Sequence, residues 1–248
     1  MLMTPSYHKE PKAGEQVKST GDAWPDGAKR LFDILLSAAG LALLAPLMAI
    51  IALAVVAESG RPVLFAQTRV GRGFRRFRLY KFRSMRNGAR GQPITAAHDG
   101  RITRVGRFLR ATKLDELPQL WNVLKGDMSL VGPRPEIPEY VERFRESYQR
   151  ILTVRPGITD LASIRFRHEE QELARRADAL AAYEEEILPA KLALAEEYVG
   201  RRSLWLDLKI LVRTFTAVVG LGVPAHPRPS AAGGAIPSRP LTRSRLRS

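Results

Sequence analysis

The sequence of 248 residues contains no cysteine and only four histidines. The absence of cysteine excludes disulfide bonds and thiolate metal sites, and it is compatible with a reducing compartment. The histidines are scattered without HExxH spacing, so a zinc site of that kind is not expected. Acids are also scarce, since 25 of them face 40 lysines and arginines, which gives a net charge of +15. This imbalance predicts an anionic partner: nucleic acid, an acidic membrane surface or a phosphorylated substrate.

Positive charge is concentrated in residues 61–113, which contain fifteen lysines and arginines and a single acid, Asp99. Apolar and aromatic residues interrupt the charges, as in FRRFRLYKFRSM (74–85). This pattern predicts a folded, strand-like segment rather than a solvated basic tail. PVLFAQTRVG (62–71) is predicted to be a second strand-like segment, joined to the first by GRG.

One long apolar run, residues 31–57, is interrupted only by Asp33 and Ser37. As a helix it would be about 40 Å long, enough to cross a hydrocarbon core of about 30 Å. Length alone therefore favours an ordinary spanning helix. However, Pro46 near the middle removes a backbone hydrogen bond and bends a helix, and both flanks are basic, which places both in the cytoplasm by the positive-inside rule. These features favour a re-entrant helix over residues 29–58, broken at Pro46.

The rest of the chain divides into one domain and two terminal segments. Residues 1–28 are predicted to be a loose leader, and 223–248 a disordered basic tail rich in Pro, Ala and Ser. Residues 59–222 are expected to form a compact cytoplasmic, membrane-associated catalytic domain, mostly α-helical with a few short strands. Within it, 136–152 is predicted to be one amphipathic helix, and 203–222 an apolar helix that packs in the core or lies in the membrane interface.

Two adjacent acids, Asp115 and Glu116, close the basic stretch in the segment LDELPQLWNVLKGD. Adjacent side chains on a helix point about 100° apart, so the two carboxylates are expected to take different roles. In one interpretation, Asp115 only caps the following helix. In the other, the flanking cations Arg110, Lys113 and Arg134 hold a phosphate, and the acids form a phosphoryl-transfer site. Aspartate can form covalent phospho-intermediates, and a second acid can hold Mg²⁺ through oxygen contacts.

The ordered set of motifs resembles the bacterial sugar transferases, the monotopic polyprenyl-phosphate phosphoglycosyl transferases, in their short form. The matching segments are KRLFDILLSAAGLALLAPLMAI, PVLFAQTRVGRGFRRFRLYKFRSM, ITRVGRFLRATKLDELPQLWNVLKGDMSLVGPRP, VRPGIT and SLWLDLKIL, in order over residues 29–215. The resemblance implies transfer of a phosphosugar from a UDP-sugar to polyprenyl (undecaprenyl) phosphate, with release of UMP. It implies a covalent Asp-phosphosugar intermediate and the first membrane step of a surface polysaccharide or glycoconjugate pathway.

The resemblance also implies roles for single residues. Asp115 corresponds to the nucleophile, Glu116 to a Mg²⁺ ligand, and Pro46 to the helix-break proline, which follows Ala45 here where serine is usual. The candidate substrate-binding residues are cations in the matched motifs: Lys81, Arg110, Arg134 and Arg155. After VRPGIT, the chain continues DLASIRFRHEEQELA where many members have GWAQVNGR, and this departure leaves the sugar open.

The partners expected from the resemblance are a UDP-sugar, polyprenyl phosphate and membrane phospholipids, with Mg²⁺ as cofactor and a homo-oligomer possible. The expected location is the bacterial inner membrane, with the catalytic domain on its cytoplasmic face. Two other functions are open. The charge and the interleaved aromatics are also typical of a membrane-tethered nucleic-acid-binding protein, although nucleic acid is not expected as a partner because that function leaves the acidic pair unexplained. A non-catalytic scaffold for polysaccharide assembly is the other.

Overall fold

The computed structural model describes residues 25–86, 100–167, 169–176 and 178–218. The predicted tail, 223–248, and the predicted leader up to residue 24 lie outside these residues. Within them the fold is mostly helical with four short strands, as predicted. The elements, in chain order, are α1 Asp26–Ser59, β1 Leu64–Val70, β2 Arg76–Phe82, α2 Arg104–Thr112, α3 Gln119–Lys125, β3 Ser129–Val131, α4 Pro138–Arg143, α5 Arg145–Ile151, β4 Gly157–Thr159, α6 Leu161–Arg165, α7 Glu169–Leu173, α8 Ala179–Ala182, α9 Leu188–Arg201 and α10 Leu204–Val218.

The apolar run forms the single 34-residue helix α1, which is about 50 Å long at 1.5 Å per residue. Among the described residues it is the one helix long and apolar enough to cross a membrane. Pro46 lies inside α1, and the helix continues through it. The break at Pro46 and the re-entrant path remain predictions. Large aliphatic side chains stand exposed along the helix: Leu31, Leu35, Leu36, Leu43, Ile50, Leu53 and Val56.

Charged side chains bind the N-terminal end of α1 to the domain through ion pairs and hydrogen bonds. The Lys29 ammonium lies 2.7 Å from an Asp207 carboxylate oxygen on α10. The guanidinium of Arg30 donates hydrogen bonds of 2.6 and 2.8 Å to the last carbonyls of α3. Asp33, which is buried, accepts a 3.1 Å hydrogen bond from the backbone N–H of Leu130 in β3. These buried polar contacts hold the start of the apolar helix against α3, β3 and α10.

The C-terminal end of α1 is fastened to the same domain. The Glu58 carboxylate accepts hydrogen bonds of 2.7 and 2.8 Å from the first amides of α2. Arg83, directly after β2, donates 2.8 Å hydrogen bonds to the carbonyl and the hydroxyl of Ser59. Ile51 and Val55 are buried in an apolar cluster with side chains of β2 and α2. Both ends of α1 therefore contact one folded domain, which lies along the helix.

The two strand-like segments are strands, as predicted, and they pair as an antiparallel hairpin. β1 and β2 pair in register from Leu64 opposite Phe82 to Val70 opposite Arg76. The turn between them contains Gly73 at φ 65°, a left-handed conformation that glycine adopts without steric cost. The hairpin carries Lys81 near the end of β2, so its register determines where that ammonium lies.

β3 and β4 form a short parallel two-stranded sheet, in which Ser129 lies opposite Gly157 and Val131 lies opposite Thr159. Beyond it, the GPRP and RPG turns meet backbone to backbone. A Cβ added at Gly157 would lie 2.1 Å from the amide nitrogen of Gly132, so neither strand can shift to admit a side chain. This contact holds the turn that carries Arg134 in one position relative to the rest of the domain.

Gly157→Ala is expected to destabilise the protein by several kcal/mol or prevent folding, because backbone atoms cannot move aside for the new methyl group. Gly200→Ala is the matched control. A Cβ at Gly200 meets nothing within 4 Å, so this helical alanine should be neutral or stabilising by up to about 1 kcal/mol. Thermal unfolding of both purified variants measures the difference, and equal midpoints would contradict the close approach.

One helical prediction needs correction. Residues 136–152 form two helices, α4 and α5, because Phe144 between them leaves the helical region at φ −113° and ψ 39°. This bend places the Phe144 ring in the buried cluster with Tyr140 and Tyr148. The charged segment that follows α6 contains α7, α8, a five-residue π-helix and α9.

α10 turns its apolar side outward. Asp207 and Ile210 are buried, and Asp207 accepts a 2.8 Å hydrogen bond from the hydroxyl of Tyr198 on α9. The exposed residues of α10 are apolar or aromatic apart from Lys209: Leu204, Trp205, Leu208, Val212 and Phe215. A helix with an apolar outer side and a polar anchor on its inner side suits the interfacial alternative predicted for this segment.

Candidate active site

The acidic pair lies at the joint between α2 and α3. Leu114, Asp115 and Glu116 form one 3₁₀ turn, and Lys113 before it adopts a left-handed conformation at φ 60° and ψ 14°. α2 is fixed by the Thr103 hydroxyl, which accepts a hydrogen bond from the amide of Gly106 at 2.8 Å. Both carboxylates are buried, with residue exposures of 6% for Asp115 and 8% for Glu116. The chain therefore places two acids under the surface at a helix joint, where the turn geometry fixes their separation.

Asp115 is not a helix cap, so that interpretation is wrong. Pro118 occupies the N-cap position of α3, and no side chain caps this helix. One carboxylate oxygen of Asp115, Oδ1, is buried without a hydrogen-bond partner in the described part of the chain. Burying such an oxygen costs free energy, and its presence in a native fold calls for a functional explanation.

Glu116 holds two cations at once. Its Oε1 lies 2.8 Å from Lys81 Nζ and 2.5 Å from Arg134 Nη2, and its Oε2 accepts a longer bond of 3.3 Å from Arg134 Nη1. Burial alone would favour the neutral acid, but the guanidinium of Arg134 and the ammonium of Lys81 outweigh it and hold the pKa of Glu116 well below its usual range. Glu116 is therefore ionised at neutral pH and paired on both oxygens.

Asp115 lies in a different environment. Burial raises the pKa of Asp115, the positive charge of Lys81 opposes this rise, and the negative charge of Glu116 adds to it. The charges of Lys113 and Arg110 also favour the ionised form. The two acids thus have opposite pKa directions and unequal partners, as expected for groups with different roles. Of the two acids, Asp115 is the one with a carboxylate oxygen that has no hydrogen-bond partner among the described residues.

Sequence reasoning missed the residue that sets the position of Lys81. Asn122 on α3 is fully buried, and its side-chain oxygen accepts a 3.1 Å hydrogen bond from the amide of Tyr80, while its side-chain nitrogen donates a 2.7 Å bond to the carbonyl of Arg78. The amide thus pairs with the edge of β2 like a neighbouring strand. Local spacing gives no signal for this residue, because it lies about 140° or more around the helix from the apolar positions Leu117, Leu120 and Leu124.

Arg134 is positioned by Asp160, which sequence reasoning also missed. One oxygen of the Asp160 carboxylate accepts a 3.1 Å bond from the backbone N–H of Arg134, and the other accepts a 2.6 Å bond from the amide of Ser163. Asp160 thereby caps α6 and also binds the GPRP turn to the start of that helix. An aspartate directly before a helix is a recognisable cap signal, so the capping of α6 by Asp160 was predictable.

The predicted cations do not all converge on the acids. Lys81 and Arg134 contact Glu116, and the charge of Arg110 acts on Asp115. Arg155 instead donates a 3.0 Å hydrogen bond through Nε to the carbonyl of Gly126, at the end of α3. Its contacts are structural, and a substrate-binding role for Arg155 stays a prediction.

The role of Glu116 as a metal ligand stays a prediction. Oε1 of Glu116 accepts bonds from both Lys81 and Arg134, whereas Oε2 accepts one longer bond from Arg134 and keeps a lone pair for a further partner. The described residues contain no group of three or more Asp, Glu, His or Cys side chains that could hold a metal ion. Asp115 Oδ1 and Glu116 Oε2 are the carboxylate oxygens of the acidic pair with capacity for Mg²⁺, an ion that proteins commonly bind through one or two carboxylates together with substrate phosphates.

Glu116→Gln is expected to lower the free energy of unfolding at pH 7 by about 3 kcal/mol, because two partly buried cations lose their counter-charge. The pKa of Glu116 is depressed, so its contribution is present at neutral pH and is lost as pH falls below the usual carboxylate range. The difference from wild type should therefore shrink in acid. Thermal unfolding between pH 3 and 7 measures it. Glu142→Gln, in an exposed pair with Arg145, should change stability by less than about 1 kcal/mol.

Comparison with known proteins assigns the chain to a family. Residues 24–220 match the family described as bacterial sugar transferase. The chain belongs to the bacterial sugar transferase family. Membership confirms the predicted family and the prediction of a phosphoglycosyl transferase enzyme.

Members similar to this chain carry specific names. A UDP-glucose:undecaprenyl-phosphate glucose-1-phosphate transferase of Caulobacter vibrioides is 40% identical over 207 residues, which cover 78% of this chain and 70% of that protein. A UDP-N-acetylgalactosamine-undecaprenyl-phosphate N-acetylgalactosaminephosphotransferase of Aeromonas hydrophila is 39% identical over 202 residues, 78% of this chain and 44% of that protein. An undecaprenyl-phosphate glucose phosphotransferase of Komagataeibacter xylinus is 40% identical over 200 residues, 77% of this chain and 36% of that protein. This chain thus spans less than half of the last two.

Proposed function

We propose that the protein transfers a phosphosugar from a UDP-sugar to polyprenyl (undecaprenyl) phosphate and releases UMP, as the first membrane step of a surface polysaccharide or glycoconjugate pathway. The observation that carries this proposal is Asp115, a buried acid beside a cluster of cations, with one oxygen that has no hydrogen-bond partner among the described residues. The names of the family members support the same class of reaction, since they pair a nucleotide sugar or a sugar phosphate with undecaprenyl phosphate.

The proposed reaction has two steps at one phosphorus atom. In the first, Asp115 Oδ1 attacks the β-phosphorus of the UDP-sugar, a bond forms between the aspartyl oxygen and phosphorus, and the bond to the departing UMP oxygen breaks. In the second, an oxygen of polyprenyl phosphate attacks the same phosphorus, and the aspartate leaves. An ionised carboxylate needs no general base for the first step. The products are polyprenyl-diphosphate-sugar and UMP.

The cations supply electrostatic stabilisation in this scheme. Negative charge accumulates on phosphoryl oxygens as the bonds exchange, and preorganised cations next to the reacting atom lower its energy. Glu116 fixes Lys81 and Arg134 in place before substrate arrives, so little reorganisation is needed on binding. We assign Glu116 this positioning role. A requirement for Mg²⁺ is kept as an expectation, to be tested by chelation of the purified enzyme.

Membrane association is the second part of the proposal. A polyprenyl chain drawn from the bilayer into water costs about 0.8 kcal/mol per CH₂, so a site at the interface avoids that cost. Exposed apolar side chains outside α1 and α10 support such a position for the domain: Leu64, Phe65, Phe108 and Trp121. Phe108 and Trp121 belong to α2 and α3, the two helices that flank the acidic pair. We place this face against phospholipid on the cytoplasmic side of the inner membrane.

The fastening of α1 supports the re-entrant topology. Arg30 near its start and Glu58 near its end both bond to the same domain. A helix that crossed the bilayer would carry one of these ends away from the domain. We therefore keep the re-entrant path, with a bend at Pro46 taken up within the membrane, as part of the proposal.

The test of function is release of UMP by the purified protein in nanodiscs containing undecaprenyl phosphate. A panel of UDP-sugars is supplied one at a time, and we expect one or a few to give UMP together with a lipid-linked sugar phosphate. Absence of UMP with every sugar, together with salt-sensitive retention of DNA, would overturn the proposal in favour of nucleic-acid binding.

A further inference from the structure

Lys113, the residue before the acidic turn, has an unusual backbone. Its φ of 60° is left-handed, and within the described ranges the one other non-glycine residue with positive φ is Phe74. This conformation costs an L-residue about 1–2 kcal/mol, which glycine would avoid. A strained residue next to a reactive group is a reason to look for a function of its side chain.

The strain fixes the start of the Lys113 side chain relative to the nucleophile. The Lys113 amide donates to the carbonyl of Arg110 at 3.3 Å, and the Lys113 carbonyl accepts from the amide of Glu116 at 3.2 Å. These bonds close the turn on both sides of the residue. Lys113 itself is exposed, whereas Asp115 and Glu116 are buried. Its ammonium is thus tethered two residues from Asp115 on the solvent side of the pair.

Lys113 differs from the neighbouring cations because no acid pairs with its ammonium among the described residues. Lys81 and Arg134 are both engaged by Glu116. The Lys113 ammonium, by contrast, makes no hydrogen bond or ion pair with any residue in the part of the chain that the structure describes. Its positive charge nevertheless favours the ionised form of both acids, which places it within electrostatic reach of them. It is an exposed cation two residues from Asp115.

We propose that Lys113 is a further catalytic residue, which binds a phosphate group of the substrate while Asp115 reacts. This inference rests on the proposed phosphosugar transfer. The ammonium has three donors on a flexible stem, so it can reach non-bridging phosphoryl oxygens without giving up an existing partner. The phosphate belongs either to the diphosphate of the UDP-sugar or to polyprenyl phosphate, and both present the same chemistry to the lysine.

The test uses variants that keep the backbone and change the charge. Asparagine and glycine tolerate the left-handed conformation, so Lys113→Asn and Lys113→Gly remove the ammonium without added strain. We expect kcat/KM to fall about 100-fold in both, the loss typical for removal of one preorganised group where charge develops. Lys113→Arg should keep most of the activity. Arg107→Gln, an exposed cation on α2, is the charge-matched control and should stay within about twofold of wild type.

Two further measurements identify the phosphate. A rise in KM confined to the UDP-sugar, with weaker UDP binding when Lys113→Asn is combined with Asp115→Asn, assigns the lysine to the nucleotide diphosphate. A rise confined to polyprenyl phosphate assigns it to the lipid substrate. Unfolding midpoints at or above the wild-type value in Lys113→Gly exclude a loss of fold.

Two results would overturn the inference. One is an active wild type whose Lys113→Asn variant is equally active. The other is equal loss of activity and of sedimentation with phosphatidylglycerol vesicles in Lys113→Asn and Arg107→Gln, which would make Lys113 a general lipid contact. A wild type that releases no UMP would instead contradict the proposed function itself, so the two failures are distinguishable.

Discussion

Asp115→Asn is expected to abolish UMP release, by a factor of about 10⁴ or more, while the protein folds as wild type does. Asparagine has the same shape but no nucleophilic oxygen, so the first step of the proposed reaction is lost. Stability should not suffer, because Asp115 Oδ1 makes no hydrogen bond within the described residues and burial raises the pKa of this acid. Replacing a poorly paired buried charge with a neutral amide removes a desolvation cost.

The measurement combines single-turnover UMP release with thermal unfolding of the same preparations. Glu139→Gln, an exposed acid on α4, is the control and should match wild type in both. Near-normal UMP release from Asp115→Asn would end the assignment of the nucleophile. Lost activity with a lowered unfolding midpoint would point to a structural role for the acid instead.

The same site predicts a trapped intermediate. Wild-type enzyme incubated with its UDP-sugar, without a lipid acceptor, should release about one equivalent of UMP and gain the mass of one phosphosugar. Peptide mass spectrometry should locate the added mass on the peptide that contains Asp115. If rapid quenching yields unmodified enzyme although the lipid-supplemented reaction runs, direct transfer in a ternary complex is the better mechanism.

The fold was predictable where the pattern is local. Each of three features lies within one short segment: the apolar run of α1, the strand-like residues of the hairpin, and the joint between α2 and α3. β3 and β4 were missed because SLV and GIT are three residues each, and their pairing depends on a Gly132–Gly157 contact between turns far apart in sequence. The break at Phe144 was missed because burial of its ring, a tertiary effect, outweighs the local helical pattern.

The site was predictable in its acids but less so in its partners. Asp115 and Glu116 were singled out by their position at the edge of a basic stretch, yet their environments depend on Lys81, which lies 35 residues from Glu116. Arg134 and Arg155 occur in similar Arg-Pro contexts, and tertiary packing sends one to Glu116 and the other to the carbonyl of Gly126. Sequence spacing alone cannot distinguish two such arginines.

The largest structural prediction concerns the side of the membrane on which α1 begins. If the helix is re-entrant, residues before and after it lie together in the cytoplasm. Gly27 and Gly100 suit single-cysteine labelling, because a Cβ at either position meets nothing within 4 Å and the chain has no other cysteine. Both Gly27→Cys and Gly100→Cys should resist a membrane-impermeant thiol reagent in intact cells and react after lysis. Labelling of Gly27→Cys alone in intact cells would establish a spanning helix.

A spanning helix would also have to break contacts that the fold makes. The Lys29 ammonium would leave Asp207, which is 1% exposed, and Arg30 would leave the carbonyls at the end of α3. Removing the partner of a buried charge costs about 3–5 kcal/mol. Against this, a straight apolar helix of 34 residues crosses a hydrocarbon core without strain. Pro46→Ala strengthens the straight form, so it should shift part of the Gly27→Cys population to labelling in intact cells. Combining Pro46→Ala with Lys29→Met should increase that fraction further, because the contact opposing the spanning form is then absent.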